Sequence, residues 1–199
     1  MKKIIFALVA GIGVSIAAQA TVLDFDGLAP NRDSDNKVVL TSMTNFPSYG
    51  GFTWSSNFAL GDTTYAGYDN AAHSGTNFVN NKGAPKLAIA SSTLFDFAGA
   101  WFVAPNISGP RASWVNITAY DAADNVIGSS GNVGIGTSYS FIAAAFNDVA
   151  KIVINRDKGF YAMDDFTLAN AAVPEPAGLF GVGLAAALLM STRRKSRQR

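Results

Sequence analysis

Four aspartates near the two ends of the central region are the side chains best placed to do chemistry. Asp24 and Asp26 lie two positions apart in VLDFDGL, and Asp164 and Asp165 are adjacent in AMDDFTL. If VLDFDGL is a strand, Asp24 and Asp26 share one face, because strand side chains alternate. Such carboxylates can bind divalent cations or serve as the paired acids of a glycosidase. The sequence has no glutamate before Glu175, so hydrolysis is the weaker interpretation.

His73 is the only histidine, and the chain has no cysteine. This inventory argues against a zinc site built from histidine and cysteine. A Ser-His-Asp triad would have to use His73, which we interpret as a solvated residue of the polar stretch YDNAAHSGTN. No catalytic residue is predicted, and a secreted hydrolase is kept only as a remote alternative.

Aromatic side chains offer a second kind of chemistry, stacking against sugar rings. Trp54, Tyr65, Tyr68 and Trp114 are the candidate glycan-binding residues, because polar stretches surround several of them. The alternative for each is burial, since large aromatic residues dominate protein cores. Trp101, in an apolar run, is assigned to the core.

The distribution of charge argues against a nucleic-acid partner. The chain has 15 Lys and Arg against 14 Asp and Glu, but seven of the basic residues lie at its two ends. Residues 21–172 contain eight basic residues and thirteen aspartates, which leaves a net charge of −5. A nucleic-acid-binding domain favours a basic face. An acidic surface is compatible instead with divalent cations or neutral glycans.

Residues 21–170 are predicted to form one all-β domain. Short segments rich in β-branched and aromatic residues alternate with clusters of Gly, Asn, Asp and Ser. The predicted strands are 21–26, 37–40, 51–55, 77–79, 86–90, 94–103, 113–121, 125–129, 138–142, 149–155 and 159–168. Gly99 is predicted at a bulge or close contact, and residues 141–146 at one helical turn.

The clearest alternation is in SWVNITAYDAADNVIGSS. One face of this predicted strand carries Val115, Ile117 and Ala119, and the other carries Trp114, Asn116, Thr118 and Tyr120. Residues 121–125 have the composition of a hairpin turn. Many short antiparallel strands favour a β-sandwich, jelly-roll-like, over a β-solenoid, for which no fixed repeat is present.

The closing strand, FYAMDDFTL, resembles that of jelly-roll carbohydrate-binding modules. The resemblance implies that the first and last strands lie side by side. It also implies a structural calcium ion held there by Asp164 or Asp165, with Asp24 as a partner. The alternative is that these aspartates are solvated or bonded to turns.

The N-terminal residues 1–20 have the three parts of a cleavable secretory signal. A basic Met1-Lys2-Lys3 precedes an apolar run, and Ala18-Gln19-Ala20 supplies small residues at the cleavage positions. This pattern predicts export across the inner membrane and removal by signal peptidase.

The C-terminal residues 171–199 consist of a linker, a short apolar segment and a basic tail. Residues 177–192 are apolar enough for a transmembrane helix but short for one, since a bilayer span needs about 20 residues. The basic residues 193–199 are predicted to stay cytoplasmic. A simple tail anchor is one interpretation of this segment.

The tail also resembles the PEP-CTERM sorting signal, through Pro174-Glu175-Pro176, the apolar segment and Arg193-Arg194. The resemblance implies recognition by an exosortase in a Gram-negative bacterium that secretes exopolysaccharide. It further implies processing near the Pro-Glu-Pro motif and a final location in the envelope, at the cell surface or outside the cell. The leading hypothesis is therefore a non-enzymatic surface or matrix protein, and the alternative is a carbohydrate-binding module acting on exopolysaccharide.

Overall fold

Two long strands, β8 and β12, organise the domain, and the computed structural model describes residues 20–169. In chain order the strands are β1 Thr21–Leu23, β2 Asn31–Arg32, β3 Val38–Val39, β4 Thr41–Ser42, β5 Thr53–Trp54, β6 Ala59–Asp62, β7 Asn77–Asn80, β8 Lys86–Val103, β9 Trp114–Tyr120, β10 Val126–Ser129, β11 Val133–Gly134, β12 Ser140–Arg156 and β13 Ala162–Ala169. Single 3-10 turns span Met43–Asn45 and Tyr49–Gly51.

Strands β8 and β12 pair antiparallel, and irregularities in their register divide them into two halves. The register shifts between Ala143 and Lys151 of β12. Extra residues of this kind bend a strand and increase its twist. Each long strand therefore contributes one half to each layer of a β-sandwich.

The first layer contains the early half of β8 and the late half of β12. There β12 pairs with β9, which also pairs with β10 and β11, while β5 pairs with β8. The second layer contains the other halves of β8 and β12, followed by β13, β7, β6 and β4. Strand β1 pairs with β13, which confirms that the first and last strands lie side by side.

The inner faces of both layers enclose one hydrophobic core. The first layer contributes Val115, Ile117, Ala119, Ile152, Ile154, Leu87 and Ile89, and the second contributes Phe102, Met163, Phe166, Val79 and Leu60. The alternation predicted for β9 is confirmed, because its three small apolar side chains are all buried. The all-β sandwich is likewise confirmed for residues 20–169.

Several predicted boundaries were wrong because pairing continues through the bends. The segments 86–90 and 94–103 lie in the single strand β8. The segment 149–155 and residues 140–142 of the segment 138–142 lie in the single strand β12, which begins at Ser140. The helical turn predicted at 141–146 is also strand. Its alanines favour helix, but pairing with β8 overrides that preference.

Gly99 lies at an irregularity of the sheet, as the sequence predicted. Its φ is 148°, and an added Cβ would lie 2.5 Å from the carbonyl oxygen of Ile142. A larger residue would collide with backbone, so glycine lets β12 approach β8 closely here.

The predicted signal at residues 1–20 lies outside the described residues except for Ala20. The linker and sorting segment at 171–199, with Pro174, Glu175, Pro176, Arg193 and Arg194, lie outside them entirely. Within residues 20–169 there is no helix long and apolar enough to cross a membrane.

Candidate functional site

The outer face of the first layer carries a row of half-buried side chains on β9. Trp114, Asn116, Thr118 and Tyr120 alternate with the buried positions, so all four point away from the core. Trp114 and Tyr120 stand at the two ends of the row, about 20 Å apart at the rise of a strand. We call this surface the outer face.

Cross-strand neighbours widen the outer face to three strands. Asn116 is opposite Asn155, which is opposite Lys86. Tyr120 is opposite Lys151, which is opposite Ala90. The outer face therefore combines aromatic ends with amides, a hydroxyl and cations, and it lacks carboxylates along these rows.

Hydrogen bonds hold the polar centre of the outer face in one arrangement. The Thr118 hydroxyl donates to Asn116 Oδ1 over 3.0 Å, and the Ser129 hydroxyl donates to the same oxygen over 3.3 Å. Asn116 Nδ2 donates to Asn132 Oδ1 over 3.3 Å. The side chains of this network are thus ordered before any ligand arrives.

The two aromatic ends differ in what already contacts them. Lys151 Nζ lies 4.7 Å from the Tyr120 ring centroid and 2.5 Å from Asp124 Oδ1, so one face of Tyr120 is covered. Among the aromatic pairs and hydrogen bonds of residues 20–169, none involves the half-buried Trp114 ring or its indole N–H. Trp114 is therefore the aromatic of the outer face most available to a ligand.

A polar loop covers the outer side of the second layer. Residues 63–76 cross this layer, and Tyr68 and Ala71 pack against Phe78, Val103 and Ala162 in a second small core. Tyr68 stacks on Phe78 with centroids 5.1 Å apart.

Asp164 anchors this covering loop from beneath. Its Oδ2 accepts the backbone N–H groups of His73 and Ser74 over 2.8 and 2.9 Å, and its Oδ1 accepts the N–H of Asp165. The carboxyl is only 1% exposed. Burial raises its pKa to about 7; the N–H of Ser74 acts in the opposite direction, and the charge of Asp165 adds to the rise.

Asp165 ties the same loop through side chains. Its Oδ2 lies 2.6 Å from His73 Nδ1, and its Oδ1 accepts the Ser74 hydroxyl over 2.6 Å. The His73 ring stacks on Trp101 with centroids 3.8 Å apart. His73 is exposed, in keeping with the predicted solvated residue, although Trp101 covers one face of its ring. The prediction of a core Trp101 was wrong, because this side chain is only half-buried and stacks on His73.

The arrangement of His73, Ser74 and Asp165 is not a catalytic triad. A triad requires the serine hydroxyl to bond the histidine ring, with the aspartate on the other ring nitrogen. Here the Ser74 hydroxyl and His73 Nδ1 both bond Asp165. The three side chains link a loop to a strand.

The candidate calcium ligands are held differently from the prediction. Strand β1 ends at Leu23, and Phe25 has a left-handed φ of 62°, so Asp24 and Asp26 lie in a turn and not on one strand face. Asp24 Oδ1 accepts the N–H of Asp26, a local turn bond. The prediction that these two carboxylates share a strand face was wrong.

The carboxylates of the second layer already have hydrogen-bond partners. All four oxygens of Asp164 and Asp165 accept or share hydrogen bonds, so a calcium ion would compete with the loop for them. In residues 20–169, no three His, Cys, Asp or Glu side chains form a group suited to a metal ion. This donor set does not fit calcium as it stands, and calcium binding stays a prediction.

The four predicted glycan-binding aromatics divide by burial. Trp54 is 4% exposed, packs edge-on against Phe25 and Phe58, and donates its indole N–H to the Tyr49 carbonyl. Trp54 is thus a core residue, and its assignment to a glycan site was wrong.

Tyr68 is also buried, at 3% exposed, because the covering loop packs it on Phe78, and its assignment was wrong too. Tyr65 is half-buried and packs beside Tyr68, with centroids 5.4 Å apart. Only Trp114 lies on an open sheet face. Tyr120, which was not among the predicted glycan-binding residues, lies on the same face, and the alternation of β9 is the sequence signal that places it there.

No protein-family model matches the sequence, and no curated protein sequence matches it. Among solved structures, the chain is similar to the K2 cleaved adhesin domain of Lys-gingipain (10% identity, TM-score 0.47), covering 76% of this chain and 98% of that one. It is also similar to TmCBM61 in complex with beta-1,4-galactotriose (13% identity, TM-score 0.37, 59% and 84% covered). A third is the CBM22-1 xylan-binding domain from Paenibacillus barcinonensis Xyn10C (12% identity, TM-score 0.37, 61% and 88% covered). At these TM-scores the likenesses carry no argument about ligand or activity.

Proposed function

We propose that the domain is a non-catalytic, jelly-roll-like polysaccharide-binding module that uses the outer face of its first layer. The observation that carries this proposal is Trp114, a half-buried indole on an open sheet face that forms no aromatic pair and no indole N–H hydrogen bond within residues 20–169. Ligand sites combine aromatic side chains with a few well-placed polar groups, and the outer face has this composition.

Different side chains along β9 would make different kinds of contact with a sugar. The flat Trp114 ring offers an apolar surface to the C–H face of a sugar ring, and its N–H can donate to a hydroxyl. Asn116 and Thr118 offer donors and acceptors at neighbouring positions. Because their network is already ordered, binding loses less side-chain entropy than it would on a flexible surface.

The charge and chemistry of the domain support a non-catalytic role. Glycosidic hydrolysis requires two carboxyl groups flanking the scissile bond. The carboxylates beside the outer face are Asp124 and Asp157, which are near opposite ends of β9 and already bond Lys151 and Ser113. The carboxylates of the second layer are hydrogen-bonded to a loop. The domain would bind polysaccharide without cleaving it.

Location follows from the two ends of the sequence and belongs to the same proposal. The signal at residues 1–20 would export the chain, and the PEP-CTERM-like tail would be processed by an exosortase. The module would then reside at the cell surface or in the matrix, where exopolysaccharide is the available ligand.

Affinity electrophoresis of the full-length chain in mild detergent tests the binding proposal. The gels contain either a soluble neutral β-glucan or the exopolysaccharide of the producing bacterium. We expect Trp114→Ala to weaken retardation at least about tenfold, the loss of roughly 1.4 kcal/mol of binding free energy. Phe141→Ala is the matched control, because Phe141 is an exposed aromatic of the second layer.

Two outcomes of this experiment would count against the proposal. In one, Trp114→Ala binds as tightly as the wild type. In the other, Phe141→Ala weakens binding equally, which would place the ligand on the second layer or indicate unspecific adsorption.

A further inference from the structure

A cavity of about 440 Å³ lies at the end of the sandwich where β9 begins. Its lining includes Arg111 and Ser113 before β9, Gly136 and Thr137 after β11, and Lys158 after β12. Ligand sites in proteins commonly have volumes of about 300–1,000 Å³. The cavity is thus large enough for a sugar unit.

Backbone hydrogen bonds fix the segments that line this cavity. The N–H of Ala104 donates to the Gly136 carbonyl over 2.7 Å, and the N–H of Ile135 donates to the Ser113 carbonyl over 3.0 Å. The N–H of Ala112 donates to the Phe160 carbonyl over 2.9 Å. The walls therefore come from four parts of the chain, and backbone hydrogen bonds join these parts to one another.

The neighbours of Lys158, Asp157 and Gly159, contact the segment that precedes β9. Gly159 has a φ of 60°, and a Cβ there would lie 2.0 Å from the Pro110 carbonyl oxygen. Asp157 accepts the N–H of Ser113 over 3.0 Å and its hydroxyl over 2.5 Å. The chain on either side of Lys158 is accordingly held against the segment that carries Arg111.

The two cations of the cavity have no acidic partner. Arg111 and Lys158 are exposed, and neither forms an ion pair with a carboxylate in residues 20–169. Asp157 is adjacent in sequence but is not part of the lining. Burial alone would raise the pKa of the Asp157 carboxyl. Hydrogen bonds from Ser113 and from the N–H groups of Lys158 and Trp114 lower that pKa to about 2.

The charge that lines this cavity is opposite in sign to that of the domain. Residues 21–172 have a net charge of −5, whereas the lining contains two positive side chains and no acidic one. A guanidinium matches a carboxylate in a two-pronged geometry, and a lysine adds a mobile point charge. Thr137, which also lines the cavity, carries a hydroxyl group.

We propose that this cavity binds the carboxylate of an acidic sugar residue, such as a uronate unit of an extracellular polysaccharide. Ser113 lines the cavity and Trp114 is the next residue, so the site adjoins the aromatic end of the outer face. The proposal rests on the polysaccharide-binding function and specifies its substrate class. The cavity would select acidic chains, and Trp114 would contribute contacts that do not depend on charge.

The test compares polygalacturonate with a neutral polysaccharide of similar size, using the full-length chain in mild detergent. In the double variant Arg111→Gln with Lys158→Gln, we expect at least about tenfold weaker binding of polygalacturonate and unchanged binding of the neutral polymer. Lys37→Gln is the control, since it removes a surface charge away from the cavity. Circular dichroism confirms that each variant is folded.

Two further measurements separate the possible results. In the first, inorganic sulfate and free galacturonate are added at equal concentrations as competitors of polygalacturonate binding, and sulfate should compete poorly. If sulfate competes as well as galacturonate, the site recognises any oxyanion and the sugar proposal is wrong. Equal binding of polygalacturonate by the double variant and wild type would also overturn it.

Binding of a uronate in the cavity can be tested even if the outer face binds no polysaccharide. In that case free galacturonate is titrated while the amide resonances of Ser113, Gly136 and Thr137 are followed by NMR. Shifts that vanish in the double variant support the cavity while the polysaccharide function fails. Absent shifts reject both.

Discussion

His73 Nδ1 lies 2.6 Å from Asp165 Oδ2, although 92 positions separate the two residues in the chain. This contact joins the covering loop to the closing strand and leaves the histidine ring stacked on Trp101. The histidine and aspartate whose residue types suggest catalysis are thus parts of a structural link.

Breaking this link should lower stability without affecting polysaccharide binding. Asp165→Ala removes the partners of both His73 Nδ1 and the Ser74 hydroxyl, and a hydrogen bond to a charged group contributes about 1.5–3 kcal/mol. We expect the free energy of unfolding in urea to fall by about 2–4 kcal/mol. Asp35→Ala, at an exposed position, should have little effect. A stability equal to the wild type would mean that the link is unimportant.

The pH dependence of stability should reveal the buried Asp164. Its pKa is about 7 in the folded protein and about 4 in an unfolded chain. Between these values the folded state keeps a proton that the unfolded state has lost. The contribution of this group to stability therefore falls as pH rises from about 4 to about 7.

The variant Asp164→Asn isolates this contribution, because asparagine does not titrate. Subtracting its unfolding free energy from that of the wild type should give a difference that declines across the pH window, by at most about 1.4 kcal/mol per pH unit. Asp35→Asn serves as the exposed comparison. A difference that is constant with pH would show that Asp164 is ionised throughout.

Trp54 and Trp114 should respond in opposite ways to truncation. Trp54→Ala empties a core position and should lower the unfolding free energy by about 3–5 kcal/mol. Trp114→Ala should change it by less than about 1 kcal/mol, because the side chain is on the surface. Urea denaturation measures both values, and similar losses would contradict the assignment of Trp114 to an open face.

Calcium binding by Asp24, Asp164 and Asp165 has a direct thermal test. A bound ion raises Tm in proportion to the logarithm of its concentration above Kd. If the ion is part of the native protein, melting after chelation should occur at a lower temperature than melting with added calcium. Magnesium is the comparison ion, and identical Tm values in all conditions would reject the site.

Processing of the tail can be read from intact masses of the surface and secreted forms. The sorting hypothesis predicts a mature C-terminus near Pro176, together with loss of residues 1–20. Replacing Glu175 by Ala should increase the unprocessed form. Recovery of the chain ending at Arg199 in the membrane fraction, with no shorter form elsewhere, would favour a simple tail anchor.

The sequence predicted the fold where its information was local. The alternation of β9 follows from the two-residue repeat of a strand, so burial of Val115, Ile117 and Ala119 could be predicted from that repeat alone. The turn at 121–125 could also be predicted from its local composition. In the structure, Asp121 Oδ1 accepts the N–H groups of Ala123 and Asn125 in this turn.

Predictions failed where burial depended on a distant segment. Nothing local to Tyr68 shows that the loop carrying it will fold onto Phe78. Likewise, strands β8 and β12 continue through bends that look like breaks in the sequence, because pairing with each other sustains them.

By itself, the amino-acid sequence determined the all-β class, the acidic character of the central region, and the alternating face on which Trp114 and Tyr120 stand. Each depends on composition or on neighbours a few residues away. Only the tertiary structure decided that Asp164 and Asp165 hold a loop, that Trp54 is core, and that Arg111 and Lys158 share a cavity. Those outcomes depend on contacts between segments tens of residues apart, whose geometry local periodicity does not contain.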